Sequence, residues 1–306
     1  MTQIPLFDSH SDTVHVARAR GRSLRENDMQ LDFLRSSAFQ PRGQVFSVWG
    51  EPRRDPPMFE KVMDYWEQEL SANADLVLHC RCAEDIRKAH RDGKIAALLS
   101  IEGAEQIGCR RDRLQEVYDR GIRIIHPCWN YDNVLTGSAT ESQRGLTDEG
   151  RRFVEDAQRI GIIVDLSHSS EQAFWDVLEM AKRPVLAGHS DSRAVLDHPR
   201  NLTDEQFTAL AKLGGVAGLN LSGKFIGGAY DIDAVVDHAE HFLSLGGEKA
   251  VGLGTDLDGV TALPEGLRGV RDFDRLYEAM LRRNWSETLV RGIFFDNLND
   301  FFLRAL

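Results

Sequence analysis

The stretch Ile4-Pro5-Leu6-Phe7-Asp8-Ser9-His10-Ser11-Asp12 begins as a short apolar run and ends in residue types that bind metals. One residue separates His10 from Asp12, so an extended backbone would point both side chains the same way. The two side chains could therefore share one ion. Taken alone, a His-x-Asp pair is a weak signal and is more typical of a surface turn.

The same arrangement recurs along the chain, because a metal-binding residue type follows almost every apolar run. Eight runs have the length and composition of buried parallel strands: Ile4–Ser9, Val45–Trp49, Ile95–Ile101, Arg123–Cys128, Ile162–Leu166, Pro184–Ala187, Gly215–Leu221 and Ala250–Gly254. The candidate residues at or near their ends are His10, Asp12, Glu102, His126, His168, His189 and Asp256.

Helix-length stretches separate most of these runs. Two of them begin with capping signals, at Thr147-Asp148-Glu149-Gly150 and at Thr203-Asp204-Glu205. Strands that alternate with helices predict parallel βαβ units, and eight units can close into a (β/α)8 TIM barrel. In that fold the active site lies at the C-terminal strand ends, so we expect the candidate residues to meet there as a metal site.

Length and composition favour one enzyme domain over residues 1–306. A chain of 306 residues exceeds the roughly 250 of a typical barrel. The net charge, 37 − 48 = −11, disfavours nucleic acid and anionic membranes as partners. We find no apolar segment suited to a signal peptide or a membrane span, and expect a cytoplasmic protein. The four cysteines are expected to be reduced thiols.

Glu102 and two histidines suggest a second ion. Glu102 follows a strongly apolar run and precedes Gly103, so its carboxylate should emerge at the mouth, where its two oxygens could bridge two cations. His168 and His189 end consecutive runs and would come from adjacent strands. Singly, each histidine is more often structural; together with the carboxylates they form a mixed set that fits zinc, with manganese, cobalt or iron as alternatives.

Six signatures in the sequence resemble those of the membrane dipeptidase (renal dipeptidase) family of amidohydrolase-type metal-dependent barrels. They are Asp8-x-His10-x-Asp12, Ile101-Glu102-Gly103, Asp165-Leu166-Ser167-His168, Gly188-His189-Ser190, His198-Pro199-Arg200-Asn201 and Gly252-x-Gly254-x-Asp256-x-Asp258-Gly259-Val260. The resemblance implies a (β/α)8 barrel with a binuclear zinc centre that hydrolyses dipeptides, including some of the form L-Xaa-D-Xaa.

The resemblance also implies the ligand set. One zinc would be held by His10, Asp12 and Glu102, and the other by Glu102, His168 and His189, with Glu102 as the bridge. Two cations in such a site lower the pKa of a shared water towards roughly 7, and the metal-bound hydroxide attacks the peptide carbonyl.

Three further residues acquire roles from the resemblance. His126 would contact the substrate near its scissile carbonyl and help to stabilise the oxyanion. Arg200 would bind the terminal carboxylate of the substrate, although by itself it is typical of a surface residue at a helix entry. Asp256 would lie near the substrate amine and shuttle the proton.

The sequence leaves the substrate open. Ser222 stands where some family members carry a tyrosine that holds substrate, and Lys224 either biases the pocket towards acidic substrates or is simply solvated. One alternative to a dipeptidase is a related hydrolase of an N-acyl amino acid or modified peptide. Another is a non-catalytic maturation protein of the same fold. The family suggests a homodimer, whereas the chain alone is equally consistent with a monomer.

Overall fold

The computed structural model describes residues 3–306 and contains a parallel sheet of nine strands. The strands are β1 Leu6–Asp8, β2 Arg42–Val48, β3 Val77–His79, β4 Ile95–Ile101, β5 Ile122–Ile125, β6 Ile163–Val164, β7 Leu186–Ala187, β8 Val216–Leu219 and β9 Val251–Leu253. Eight of them follow one another in the order β6-β5-β4-β2-β1-β9-β8-β7.

A single parallel bridge between Asp165 and Leu186 joins the two ends of this order, since Asp165 directly follows β6 and Leu186 begins β7. The eight strands therefore form a nearly closed barrel, and the predicted (β/α)8 fold is confirmed. Each of the eight apolar runs contains or overlaps one barrel strand, and the run Ile95–Ile101 coincides with β4.

The strand outside the barrel order, β3, was not predicted from the sequence. β3 pairs with Ile95–Ala97 of β4, whereas β5 pairs with Leu99–Ile101 of the same strand. Because β2 occupies the other edge of β4, β3 and β5 divide the remaining edge between them. A three-residue strand of this kind carries too short a pattern to be distinguished from a loop.

Helices lie between the strands around the barrel. They are α1 Thr13–Arg20, α2 Phe33–Ser36, α3 Phe59–Ala72, α4 Ala83–Arg91, α5 Leu114–Asp119, α6 Asp148–Ile160, α7 Glu171–Met180, α8 Asp204–Lys212, α9 Gly223–Ile226, α10 Ile232–Ser244, α11 Phe273–Arg282, α12 Glu287–Arg291 and α13 Asn297–Ala305. Short 3₁₀ turns span Ala104–Ile107, Arg111–Arg113 and Val270–Asp272, and a π-helical turn at Gly292–Asp296 joins α12 to α13.

Both predicted helix starts are confirmed by their caps. The Thr147 hydroxyl accepts a hydrogen bond from the Gly150 amide at the start of α6. Thr203 and Gln206 form a reciprocal capping box at the start of α8. Each cap satisfies backbone donors that the first helical turn leaves free, a contribution of about 1 kcal/mol.

Aromatic side chains close the end of the barrel opposite the candidate residues. Phe7, on β1, stacks on Phe302 of α13 with ring centres 5.1 Å apart and lies 6.2 Å from Phe295. Gly43 of β2 makes room for this ring, because a Cβ there would lie 2.4 Å from Phe7. The apolar cluster that contains these rings thus packs at the end of the barrel opposite the candidate residues.

No helix within residues 3–306 combines the length and the apolar character needed to cross a bilayer.

Candidate metal centre and active site

The barrel brings all the predicted site residues to the carboxyl ends of its strands. Glu102 and His126 directly follow β4 and β5, while His10 and His189 each lie two residues beyond β1 and β7. His168, Arg200 and Asp256 come from the loops after β6, β7 and β9. Strand pairing and the loops that follow the strands therefore gather residues separated by up to 246 positions in the chain, and the Asp256 N–H donates to the His10 carbonyl at 3.2 Å.

Glu102 lies between two groups of potential ligands and turns one oxygen towards each. Its Oε1 is 2.8 Å from His168 Nε2 and 3.6 Å from His189 Nε2. Its Oε2 is 3.5 Å from His10 Nε2, which in turn is 3.9 Å from Asp12 Oδ1. Both groups, Glu102 with His168 and His189, and Glu102 with His10 and Asp12, are close enough to hold an ion each.

The two histidines of the first group face each other through nitrogen. His168 Nε2 lies 2.9 Å from His189 Nε2, and both side chains are buried. The tautomer of His168 is set by Asn130, whose side-chain oxygen lies 2.9 Å from His168 Nδ1 and can only accept a hydrogen bond. The proton is therefore on Nδ1, and Nε2 offers its lone pair to the centre. Asn130 was not predicted from the sequence, because an asparagine in a loop carries no recognisable signal.

Asp12 and Asp256 approach each other around Gly259. A Cβ at this glycine would lie 2.2 Å from Asp256 Oδ1 and 2.6 Å from Asp12 Oδ2, so any other residue would displace both carboxylates. Asp256 Oδ1 is 3.9 Å from His10 Nε2, and its Oδ2 accepts a hydrogen bond from Asn220 Nδ2 at 3.2 Å. Asp256 thus has one oxygen fixed and the other directed at the metal-binding group.

His126 lies beneath this centre, fully buried, and does not line the pocket. Its Nδ1 is 3.1 Å from the Ile101 carbonyl, to which it donates, and its Nε2 is 3.3 Å from Asp165 Oδ2. Asp165 is itself held by the amides of Ser167 and Gly188. The substrate contact of His126 stays a prediction, since it would require Nε2 to turn away from Asp165.

Arg200 reaches the centre from the loop after β7 and is only 3% exposed. Its Nη2 lies 3.2 Å from His168 Nε2, and its guanidinium carbon is 5.3 Å from the centre of the Phe225 ring. Within residues 3–306, its Nε and Nη1 are buried and have no hydrogen-bond partner. A buried guanidinium with free donors that lines a pocket can receive an anionic group.

The carboxylates of the centre favour a positive charge at His10, whereas burial and Arg200 disfavour one at His168. Burial by itself lowers the pKa of His10, but the negative charges of Glu102, Asp256 and Asp12 raise it to about 10. Burial raises the pKa of Asp256 to about 6, although the charge of His10 opposes this and that of Glu102 adds to it. Burial and the charge of Arg200 lower the pKa of His168 to about 3, which keeps its ring neutral.

These residues fit divalent cations. Three buried atoms, His10 Nε2, Asp12 Oδ1 and Glu102 Oε2, have no hydrogen-bond partner within residues 3–306 and point at one another. Nitrogen and oxygen donors in this mixture suit zinc and its neighbours in the first transition row. A cation would satisfy the lone pairs that the protein leaves without donors.

The centre opens into a pocket of about 360 Å³. Its lining comprises Asp12, His15, Val16, Trp49, Glu102, Trp129, Asn130, His168, Arg200, Ser222, Lys224, Phe225, Asp256, Asp258, Gly259, Val260 and Thr261. Asp258 accepts hydrogen bonds from the Thr13 hydroxyl and the Gln30 amide, so it ties the loop after β9 to the N-terminal part of the chain. The volume suits a small molecule of a few residues at most.

Comparisons with known proteins agree with this geometry. A family model described as membrane dipeptidase (peptidase family M19) matches residues 1–304. The crystal structure of dipeptidase AC, a metallo peptidase of family M19, is 28% identical, covers 99% of each chain and superposes with a TM-score of 0.90. A metallo peptidase from Rhodobacter sphaeroides, liganded with a phosphinate mimic of the dipeptide L-Ala-D-Ala, is also 28% identical, with coverage of 99% of this chain and 100% of that chain and a TM-score of 0.87.

An amidohydrolase from Pseudomonas aeruginosa is similar in fold. It is 24% identical, covers 99% of this chain and 96% of that chain, and has a TM-score of 0.84.

Proposed function

Since the chain belongs to the membrane dipeptidase family, peptidase family M19, we propose that it cleaves dipeptides with two zinc ions bridged by Glu102. Metal-dependent dipeptidase activity follows from the family and from its dipeptidase neighbours. Beyond that activity, we propose zinc as the metal, two ions per chain and a specific role for each site residue.

The observation that carries it is the position of Glu102 between two ligand groups. One carboxylate oxygen serves His168 and His189, and the other serves His10 and Asp12. A site for one ion would need only one of these groups. The proposed ligands are therefore His10, Asp12 and Glu102 for one zinc and Glu102, His168 and His189 for the other.

When bound, a pair of cations supplies hydroxide near neutral pH and polarises the scissile carbonyl. Asp256 accepts the proton of the attacking water at Oδ1, the oxygen that faces His10. It then returns this proton to the leaving amine. Asn220 donates to Oδ2 of Asp256 and thereby keeps Oδ1 free for this transfer. His126 donates to the developing oxyanion after its Nε2 leaves Asp165.

Arg200 binds the α-carboxylate of the substrate. Its unpaired Nε and Nη1 supply the donors, and its Nη2, 3.2 Å from His168 Nε2, places the guanidinium beside the residues that would hold the ions. The pocket volume then limits the substrate to short peptides. The phosphinate mimic of L-Ala-D-Ala bound by the Rhodobacter sphaeroides neighbour supports a proposal that includes D-configured C-terminal residues.

The proposal is tested with zinc-loaded enzyme and a matched panel of substrates. We expect two zinc ions per chain by elemental analysis and hydrolysis of L-Ala-L-Ala and L-Ala-D-Ala. N-acetyl-alanine should be a poor substrate, because it lacks the free amine and the second residue. One ion per chain would contradict the binuclear centre, and cleavage of N-acetyl-alanine in preference to both dipeptides would favour the related amidohydrolase.

A further inference from the structure

Two cationic side chains line the same wall of the pocket, and the proposed mechanism uses only one of them. Arg200 is buried beside His168, a proposed metal ligand, whereas Lys224 lies exposed at the rim on α9. Arg200 has the negative charges of Glu102, Asp256 and Asp165 as its neighbours. Lys224 forms no salt bridge or side-chain hydrogen bond with any residue from 3 to 306.

The backbone segments that carry the two cations are joined by a hydrogen bond. Asn201 Nδ2, next to Arg200, donates to the Phe225 carbonyl at 2.8 Å and to the Leu196 carbonyl at 3.0 Å. Phe225 follows Lys224 directly, and its ring lies 5.3 Å from the Arg200 guanidinium. The loop after β7 and the α9 turn are therefore joined through one asparagine. Arg200 and Lys224, carried by these two segments, line the same pocket.

The pKa of His198 responds to the positive charges on the side of the pocket that carries Arg200 and Lys224. Its ring lies 4.9 Å from that of Phe225. Burial lowers the pKa of His198, and the positive charges of Arg200, Arg193 and Lys224 lower it further. The wall is thus positive over a wider area than the Arg200 guanidinium, while Asp12, Asp256 and Asp258 line other parts of the same pocket.

A substrate that meets both cations must carry two anionic groups near one end. The α-carboxylate is assigned to Arg200, and the side chain of the same C-terminal residue branches from the adjoining carbon. Ser222 lines the same pocket two residues before Lys224. Its side chain is too short to block a substrate side chain that is directed at the rim. The long, flexible lysine side chain can follow an acidic group of either configuration.

We propose that Lys224 selects dipeptides whose C-terminal residue is acidic, aspartate or glutamate, by pairing with the side-chain carboxylate. This inference rests on the proposed dipeptidase function and on Arg200 as the site of the α-carboxylate. It makes Lys224 a specificity residue at the exposed rim of the pocket.

The test compares two nearly isosteric substrates, L-Ala-D-Asp and L-Ala-D-Asn, together with the matching pair that ends in L-Asp and L-Asn. With zinc-loaded wild-type enzyme we expect kcat/KM for the aspartyl substrate to exceed that for the asparaginyl substrate by roughly three- to tenfold in the preferred configuration, as befits a partly exposed ion pair. Added salt should reduce the ratio.

Lys224→Met should bring the ratio to about one, Lys224→Arg should keep it, and Lys224→Glu should invert it. Lys249→Met is the matched control, because Lys249 is exposed and precedes β9 at the other end of the barrel, and its ratio should equal that of the wild type. A wild-type ratio near one, or a ratio that survives in Lys224→Met, would overturn this inference and leave the dipeptidase proposal intact. Failure of the zinc-loaded enzyme to cleave any dipeptide would overturn both.

Discussion

The side-chain oxygen of Asn130 lies 2.9 Å from Nδ1 of His168 and fixes which nitrogen of that ring faces the metal centre. Asn130 is in turn held by the Thr140 hydroxyl, which donates to its backbone carbonyl at 2.6 Å. A residue outside the proposed ligand set thus decides the form in which a ligand is presented. Partners of this kind commonly change metal affinity by ten- to a hundredfold.

We expect Asn130→Ala to weaken the binding of one of the two ions by roughly ten- to a hundredfold, because the His168 ring would lose its acceptor. Chelator competition followed by elemental analysis would measure this loss. Asn130→Asp retains an acceptor oxygen and should bind zinc at least as well as the wild type. Equal affinities in all three proteins would show that Asn130 does not orient His168.

Replacing Glu102 by Gln should abolish dipeptide hydrolysis and reduce the occupancy of both ions. An amide has the same shape but lacks the negative charge and offers only one good acceptor, so it cannot bridge two cations. Metal content after dialysis and turnover of L-Ala-D-Ala would be measured together. Full occupancy with near-normal turnover in this variant would contradict the binuclear centre.

Asp256→Asn should leave the metal content nearly intact and lower kcat by at least roughly a hundredfold, the scale of a lost general acid–base group. The amide retains the shape of the side chain, but it cannot carry the proton. If metal content drops in parallel with kcat, Asp256 acts chiefly as a ligand, and its assignment as proton shuttle is wrong.

Arg200 should make the enzyme demand a free α-carboxylate. Changing that carboxylate to a primary amide removes a charge-assisted contact worth about 1.5–3 kcal/mol, or roughly ten- to a hundredfold in kcat/KM. Arg200→Ala should lose a similar factor with the dipeptide and little more with the amide, because both changes delete one contact.

Because Arg200 also contacts His168, the metal content of Arg200→Ala must be measured alongside its kinetics. Arg200→Lys keeps the charge but not the planar pair of donors, and should give an intermediate loss. Two losses that simply add would show that Arg200 and the carboxylate do not meet.

The amino-acid sequence determined the barrel and the positions of the candidate ligands along it. The continuous apolar run from Ile95 to Ile101 is typical of a strand that is buried on both faces. The polar residue that follows it, Glu102, is therefore expected at the end of the strand. The same reasoning placed His10, His126 and His189, because strand direction and strand end are local properties.

Tertiary structure alone decided what each of these side chains faces. The two oxygens of Glu102 are divided between two ligand groups because β1, β4, β6 and β7 converge around one axis, and no sequence pattern records that distance. The same is true of the contact of His126 with Asp165 and of the strand β3, whose pairing depends on the half-edge of β4 that β5 leaves free.

The hydrogen bond from Asn201 to the Phe225 carbonyl, which joins the loop of Arg200 to the turn that carries Lys224, also exists only in the folded chain. A sequence specifies periodicity and local turns through interactions between neighbouring residues. Distances between loops depend instead on how the whole barrel closes, and it is these distances that decide which side chains face one another.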